Sequence, residues 1–144
     1  MDGNAPSKIG IVVSTYNSNI TQRLLEGSLK TLLAAGWDGP RVETVKVPGA
    51  WELPLAAKRL LLKPEIQAVL VLGAVIRGET THDQHINRAV SSALMELMLS
   101  SGKPVGFGLL TCNTLEQAIH RAGGNVGNKG CETAEAILAM LPGA

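Results

Sequence analysis

The sequence predicts an α/β fold in which helices cover a parallel sheet. Short apolar runs without polar alternation are typical of strands buried on both faces of such a sheet, and there are four: residues 9–13, 42–47, 68–72 and 105–110. Between them lie segments with apolar residues at helical spacing, such as 24–33 and 86–98. Strand and helix therefore alternate along the chain, which predicts an α/β layer fold.

Each element ends at a residue that interrupts regular structure. Gly36, Gly39 and Pro40 end the first helix, Lys63 and Pro64 the second, and Gly102 and Pro104 the third. We predict strands over 8–14, 42–47, 67–73 and 104–111, and helices over 19–35, 50–62, 82–101, 114–122 and 131–141. With no repeats, the 144 residues are expected to form one domain, 1–144, with 1–7 as a flexible N-terminal segment.

Composition and charge argue against several classes of protein. Lys and Arg total 13 against 12 acidic residues, and no basic cluster alternates with aromatics, so nucleic acid is not an expected partner. No apolar run approaches the ~20 residues that span a membrane, and the first residues lack a signal-peptide pattern. We expect a cytoplasmic protein in which the widely spaced Cys112 and Cys131 are reduced.

Charged residues are scarce, at 17% of the chain where ~25% is usual. The apolar content, 45%, is ordinary. A small monomer would then expose much uncharged surface, so we expect other copies of the chain to cover part of it. The alternative is a monomer with a surface rich in Ala and Gly.

Polar residues gather in the loops that follow the predicted strands. These loops are 15–17, 48–52, 77–85 and 111–113, and all of them lie at the carboxyl edge of the sheet. Ligands of open α/β sheets bind in the crevice outside those strand ends. Tyr16 and Trp51 lie in two of the loops, where their rings could flank a flat ligand or could close the ends of the core.

Three groups of residues could carry chemistry. Gly78–Thr81 precede a helix and could bind an anion there, although Thr80 or Thr81 could equally cap the helix. His82 and His85 could face one metal, but a single histidine that moves protons needs fewer ligands. The Gly-rich segment 121–130 contains Arg121 and Lys129. Cys112 has no orienting partner in the sequence and is expected to serve packing.

Taken together, five motifs in one collinear order resemble the lumazine synthase family. The resemblance extends from about Lys8 to Met140. The motifs are Thr15-Tyr16-Asn17, Val47–Pro54, Gly73–His82, Phe107–Thr111, and Gln117-Ala118 followed by Arg121–Gly123 and Gly127–Gly130. The resemblance implies a three-layer, flavodoxin-like sandwich around a four-stranded parallel sheet of order 2-1-3-4.

The implied activity is a transferase reaction of riboflavin biosynthesis. It condenses 5-amino-6-(D-ribitylamino)uracil with 3,4-dihydroxy-2-butanone 4-phosphate to 6,7-dimethyl-8-ribityllumazine, phosphate and water. Family members use neither a metal nor an organic cofactor. The steps are imine formation, β-elimination of phosphate and ring closure.

The resemblance also assigns roles to individual residues. His82 matches the proton-transfer residue, Arg121 the cation that completes the phosphate site, and Lys129 a basic residue near the reacting groups. Asn125 stands where several members have Lys. The substrate-binding positions are Tyr16, where Phe or Trp is usual, with Asn17 for the pyrimidine; Gly49, Ala50, Trp51 and Glu52 for the ribityl chain; Ala74, Val75 and Ile76 for the pyrimidine edge; Glu79 and Thr80 for phosphate; and Phe107, contributed by a neighbouring subunit.

Because the family's pocket uses residues of two neighbouring chains, the resemblance implies pentamers. The short 123–130 connection resembles that of members that form hollow sixty-subunit shells.

Two other functions stay open. The hydroxyl-rich turn of Ser14, Thr15, Asn17, Ser18 and Thr21 could belong to a flavin-binding module, unless Ser18 or Asn19 simply caps the helix. The chain could also be an inactive relative that only assembles.

Overall fold

A computed structural model describes residues 6–77, 82–124 and 127–142 of the chain. The central sheet has four parallel strands in the order β2-β1-β3-β4, which confirms the predicted fold class and strand order. Its strands are β1 (Lys8–Ser14), β2 (Val42–Val47), β3 (Ile66–Ile76) and β4 (Val105–Cys112). The helices are α1 (Ser18–Ala34), α2 (Leu53–Leu61), α3 (His82–Ser101), α4 (Leu115–Arg121) and α5 (Lys129–Met140).

Two apolar layers, one on each face of the sheet, hold the helices in place. Alternate residues of β3 divide between them: Leu70 and Leu72 face α1, α4 and α5, whereas Val69 and Val71 face α2 and α3. All four side chains are fully buried, and burial stabilises each by about 2 kcal/mol relative to exposure. The result is a three-layer sandwich with the carboxyl ends of all four strands at one edge.

β3 is longer than the sequence predicted. The prediction ended the strand at Gly73, but β3 continues to Ile76 because β4 pairs with it as far as Ile76 and Cys112. Close packing requires a glycine at position 73, since a Cβ would lie 2.9 Å from Leu109 Cδ1 and 3.2 Å from Leu53 Cδ1. β1 pairs with β3 only as far as Val13 and Leu72, so the end of β3 extends beyond its neighbour.

The predicted helix over 50–62 has a different beginning. Residues Ala50–Glu52 form a 3₁₀ turn, and the α-helix begins at Leu53 with Pro54 in its first turn. Proline suits this position because its missing N–H would have no helical partner there. The side chains of the 3₁₀ turn therefore lie at the edge of the sheet and are not part of the buried face of α2.

A two-stranded antiparallel sheet before α5 was not predicted. It consists of β5 (Ala122–Gly124) and β6 (Gly127–Asn128). The Asn128 side chain then begins α5 two residues earlier than predicted: its Oδ1 accepts from the amides of Gly130 (2.7 Å) and Cys131 (3.1 Å), and its Nδ2 donates to the Arg23 carbonyl (3.1 Å). Asn128 thus joins α5 to α1. No helix in the described ranges is long and apolar enough to cross a membrane.

Candidate active site

A cleft of about 500 Å³ opens at the carboxyl edge of the sheet. It lies between the loop after β1, the 3₁₀ turn, the end of β3 and the first turn of α3. Ten of the residues proposed from the sequence line it: Tyr16, Asn17, Gly49, Ala50, Trp51, Glu52, Ala74, Val75, Ile76 and His82. Most of the residues that line this cleft were therefore predicted from the sequence, although they come from four separate segments of the chain.

The loops after β1 and β2 are held together by their backbones. The Thr15 amide donates to the Val47 carbonyl (2.8 Å), and the Tyr16 amide donates to the Pro48 carbonyl (2.9 Å). This pairing brings Tyr16 close to the turn that carries Trp51. Both rings are exposed, at 69% and 65%, so neither closes the end of the core, and both are available to contact a ligand.

Asn17 connects the beginning of α1 to the end of β3. Its backbone is left-handed, with φ of 62°, a conformation that Asn tolerates better than most residues. Its Nδ2 donates to the Ala74 carbonyl at 3.0 Å. Asn17 is the N-cap of α1 but makes no side-chain cap bond. The alternative in which Ser18 or Asn19 caps this helix therefore does not hold, because the helix already begins at Ser18.

The end of β3 presents backbone groups to the cleft. The Arg77 amide donates to Cys112 on β4, whereas Ala74 accepts from Asn17 on the opposite side. Alternate residues of a parallel strand bond to opposite sides, so the peptide groups of Ile76 face the same side as those of Ala74. Because β1 ends before this point, no strand in the described ranges pairs with the Ile76 backbone on that side.

Two carboxylates line the cleft in different surroundings. Glu52 is exposed, and its Oε1 accepts from the Gly49 amide at 2.8 Å, which fixes the 3₁₀ turn. Asp83, in the first turn of α3, is buried, with 7% of its surface exposed. Within the described parts of the chain, its Oδ1 has no hydrogen-bond partner.

Three predicted site residues lie away from this cleft. Arg121 lines a separate cavity of about 250 Å³ at the end of β4, together with Thr111, Cys112, Gln117 and His120. Phe107 is on the α3 side of β4 and is 40% exposed. Lys129 is the first residue of α5. One copy of the chain therefore does not bring these residues to the cleft.

Burial governs the chemistry of Cys112 next to Arg121. Desolvation raises the pKa of the Cys112 thiol, and the charge and hydrogen bond of the Arg121 guanidinium oppose this rise only in part. A raised pKa lowers the thiolate fraction at neutral pH, so the thiol is a weak nucleophile. This agrees with the expected packing role.

Some predictions concern residues outside the described ranges. Glu79 and Thr80, assigned to phosphate, lie there, as do Gly78, Thr81 and Asn125. The metal-binding alternative for His82 and His85 gains no support, because the described residues contain no group of three or more His, Cys, Asp or Glu that could hold a metal ion.

Sequence reasoning missed two residues that line the cleft, Asp83 and Ile86. Ile86 belongs to the helical spacing of residues 86–98, which gives no sign of a ligand. Asp83 lies between His82 and His85 in the sequence. An acidic residue in the first turn of a helix is common for electrostatic reasons, so its burial could not be inferred from its position.

The chain is similar in sequence to proteins of one enzyme family. It matches the family described as 6,7-dimethyl-8-ribityllumazine synthase over residues 6–142. The relative of that name from Rhodopirellula baltica is 52% identical over 140 residues, which are 96% of this chain and 90% of the relative. Those from Thermus thermophilus and Syntrophus aciditrophicus are 46% and 45% identical over 134 residues, covering 93% of this chain and 85% and 87% of the relatives.

Proposed function

The chain belongs to the 6,7-dimethyl-8-ribityllumazine synthase family, and we infer from this that it is a transferase of riboflavin biosynthesis. It condenses 5-amino-6-(D-ribitylamino)uracil with 3,4-dihydroxy-2-butanone 4-phosphate to give 6,7-dimethyl-8-ribityllumazine, phosphate and water. One observation supports the location of this reaction more than any other: ten residues to which the resemblance assigns site roles line a single cleft at the sheet edge.

The aminouracil fits the chemistry of the cleft wall. The exposed Tyr16 and Trp51 rings offer flat apolar faces for the heterocycle. The uncovered peptide groups of Ile76 provide a donor and an acceptor for the pyrimidine edge. Glu52, already fixed by the Gly49 amide, can accept from hydroxyls of the ribityl chain. Each part of the substrate thus has a group of matching chemistry.

His82 is the proposed proton-transfer residue, at the start of α3 and on the cleft wall. The 5-amino nitrogen forms a bond to the ketone carbon, and water leaves as the imine forms. Loss of a proton from carbon and departure of phosphate follow, and the second amine then closes the ring with loss of another water. An imidazole side chain can both accept and donate these protons. Alignment of the two reactants supplies the larger part of the acceleration.

We propose that a neighbouring copy of the chain completes the site. Arg121, Phe107 and Lys129 lie outside the cleft of their own chain, so their assigned roles require a second subunit. The chain has an exposed apolar surface for association, which we name the α3–β4 face. It consists of Met95 and Leu99 on α3 and Phe107 on β4, which are 53%, 74% and 40% exposed. The proposed assembly is a pentamer, and twelve pentamers would make the sixty-subunit shell.

We further propose that the enzyme works in the cytoplasm. Both cysteines are free thiols, which suits a reducing compartment.

The test combines a rate with a mass. Purified protein is mixed with both substrates, and formation of the lumazine is followed by its absorbance and green fluorescence, while light scattering gives the mass of the assembly. Product formation by an assembly of five subunits or a multiple of five is expected. An assembled protein without turnover would indicate an inactive relative, and stoichiometric bound FMN without turnover would indicate a flavin-binding module.

A further inference from the structure

A hydrogen bond joins α3 to the end of β4 next to the cleft. The Thr111 hydroxyl donates to Asn87 Oδ1 at 3.0 Å, and both residues are half-buried. Thr111 is in register with Val75 on β3, which lines the cleft. Asn87 directly follows Ile86, which lines the cleft from α3. The bond therefore ties the helix that begins at His82 to the sheet beside the cleft wall.

A polar pair is unusual at this place in the fold. Asn87 is on the stripe of α3 that faces the sheet, since it lies one turn before the buried Val90 and two turns before the buried Leu94. Such stripes are normally apolar. Thr111 is on the same face of β4 as Leu109, which belongs to the apolar layer under α2 and α3. Two apolar residues of the same shape could stand here at little cost in stability, so stability alone does not explain the bond.

A hydrogen bond constrains a helix in a way that apolar packing does not. The hydrophobic effect has no direction, so an apolar contact tolerates small shifts of a helix along the sheet. A hydrogen bond requires both a distance and an angle, so it fixes the height and the rotation of α3 over β4. His82 lies five residues before Asn87 on the same helix, ~7.5 Å along its axis. A shift of the helix at Asn87 would therefore move the imidazole as well.

We propose that Asn87 is a positioning residue of the condensation, which holds His82 in place at the cleft through its bond to Thr111. The inference rests on the proposed function, in which His82 transfers the protons. Asn87 is not among the described residues that line the cleft, so it acts through the helix and not by touching a substrate. A misplacement of ~1 Å can lower a rate by ~10²-fold. Tyr16 and Trp51 belong to other elements, so binding of the heterocycle does not depend on this bond.

The experiment separates proton transfer from binding. Asn87→Leu removes the acceptor with little change in size, and Asn87→Asp, the matched control, keeps an oxygen to which Thr111 can donate. Steady-state kinetics with both substrates are measured on assemblies whose mass, by light scattering, equals that of the wild type. We expect Asn87→Leu to lower kcat by about tenfold and to leave both KM values within about twofold, whereas Asn87→Asp keeps most of the wild-type kcat. An unchanged kcat in Asn87→Leu, or equal losses in the two variants, would overturn the proposal.

A second measurement tests whether Asn87 acts through His82. Asn87→Leu is combined with His82→Ala, and we expect no further loss of kcat, because no imidazole is left to position. The same tenfold loss in both backgrounds would overturn the role of Asn87, while turnover by the wild-type protein upholds the proposed function. A wild-type protein that does not convert the substrates would overturn both. If Asn87→Leu does not fold, Thr111→Val removes the donor of the same bond and takes its place in both backgrounds, with the same results expected.

Discussion

At the residue scale, the proposed mechanism assigns the proton transfers to His82. We expect His82→Ala to lower kcat by about 10²-fold, the lower end of the range for general acid–base catalysis, because alignment of the two substrates is retained. Steady-state kinetics with both substrates measure this. His85→Ala is the matched control, since His85 is one turn further along α3 and does not line the cleft. An unchanged kcat would remove His82 from the mechanism.

The site residues show what a sequence can and cannot reveal at this scale. Tyr16, Trp51 and Glu52 could be placed at the cleft because they follow strands whose carboxyl ends meet at one edge of the sheet, and the family resemblance then assigned their roles. Asp83 could not, because its position in a first helical turn is ordinary and only its burial is unusual. Burial depends on how α3 packs against the 3₁₀ turn, a contact between distant segments.

At the element scale, Asn128 joins the beginning of α5 to α1. Its side chain accepts from two amides of α5 and donates to the Arg23 carbonyl. We expect Asn128→Ala to lower the free energy of unfolding by about 2 kcal/mol, through loss of the cap and of this third bond. Denaturant unfolding measures the change. Asn19→Ala, on the exposed face of α1, is expected to change it little, and equal effects of the two substitutions would contradict the role of Asn128.

The elements were predictable to the extent that local patterns determine them. The four strands and five helices follow from apolar runs and helical spacing. Two features do not, because they depend on pairing between segments. β3 continues past Gly73 only because β4 accompanies it, and the β5–β6 pair is made of residues whose glycines indicate coil. The prediction began α2 three residues too early, because the residues of the 3₁₀ turn fit the helical spacing of apolar residues that also marks α2.

At the scale of the whole molecule, the separation of Arg121 from the cleft predicts complementation between subunits. Arg121→Ala is expected to raise the KM for the phosphate substrate by tenfold or more through loss of a charge-assisted hydrogen bond. Trp51→Ala is expected to impair the cleft of its own chain. When the two variants are coexpressed and purified as mixed assemblies, about a quarter of the sites regain both residues by random association. Activity no higher than the mean of the separate variants would place Arg121 and the cleft in one chain.

The α3–β4 face gives a second prediction at this scale. Leu99 is 74% exposed in the single chain, and a charge introduced there would be desolvated on association. We therefore expect Leu99→Glu to produce a folded, smaller species without turnover, as measured by light scattering, circular dichroism and the lumazine assay. Leu62→Glu, at the equally exposed end of α2, is the control. A fully active Leu99→Glu monomer would contradict the need for a second subunit.

The extension of β3 beyond β1 has a consequence for how the enzyme can change over time. At Ile76 no strand of the described sheet pairs with the main-chain groups on the side of β1. In the proposed binding mode, the uracil edge would hydrogen-bond to these groups as a neighbouring strand would. Every amino acid except proline carries the same backbone N–H and C=O. Substitutions of Ile76 by residues other than proline can therefore change the shape of the cleft wall and its contact with a stacked ring. They leave unchanged the order of the backbone donor and acceptor that the uracil edge would meet.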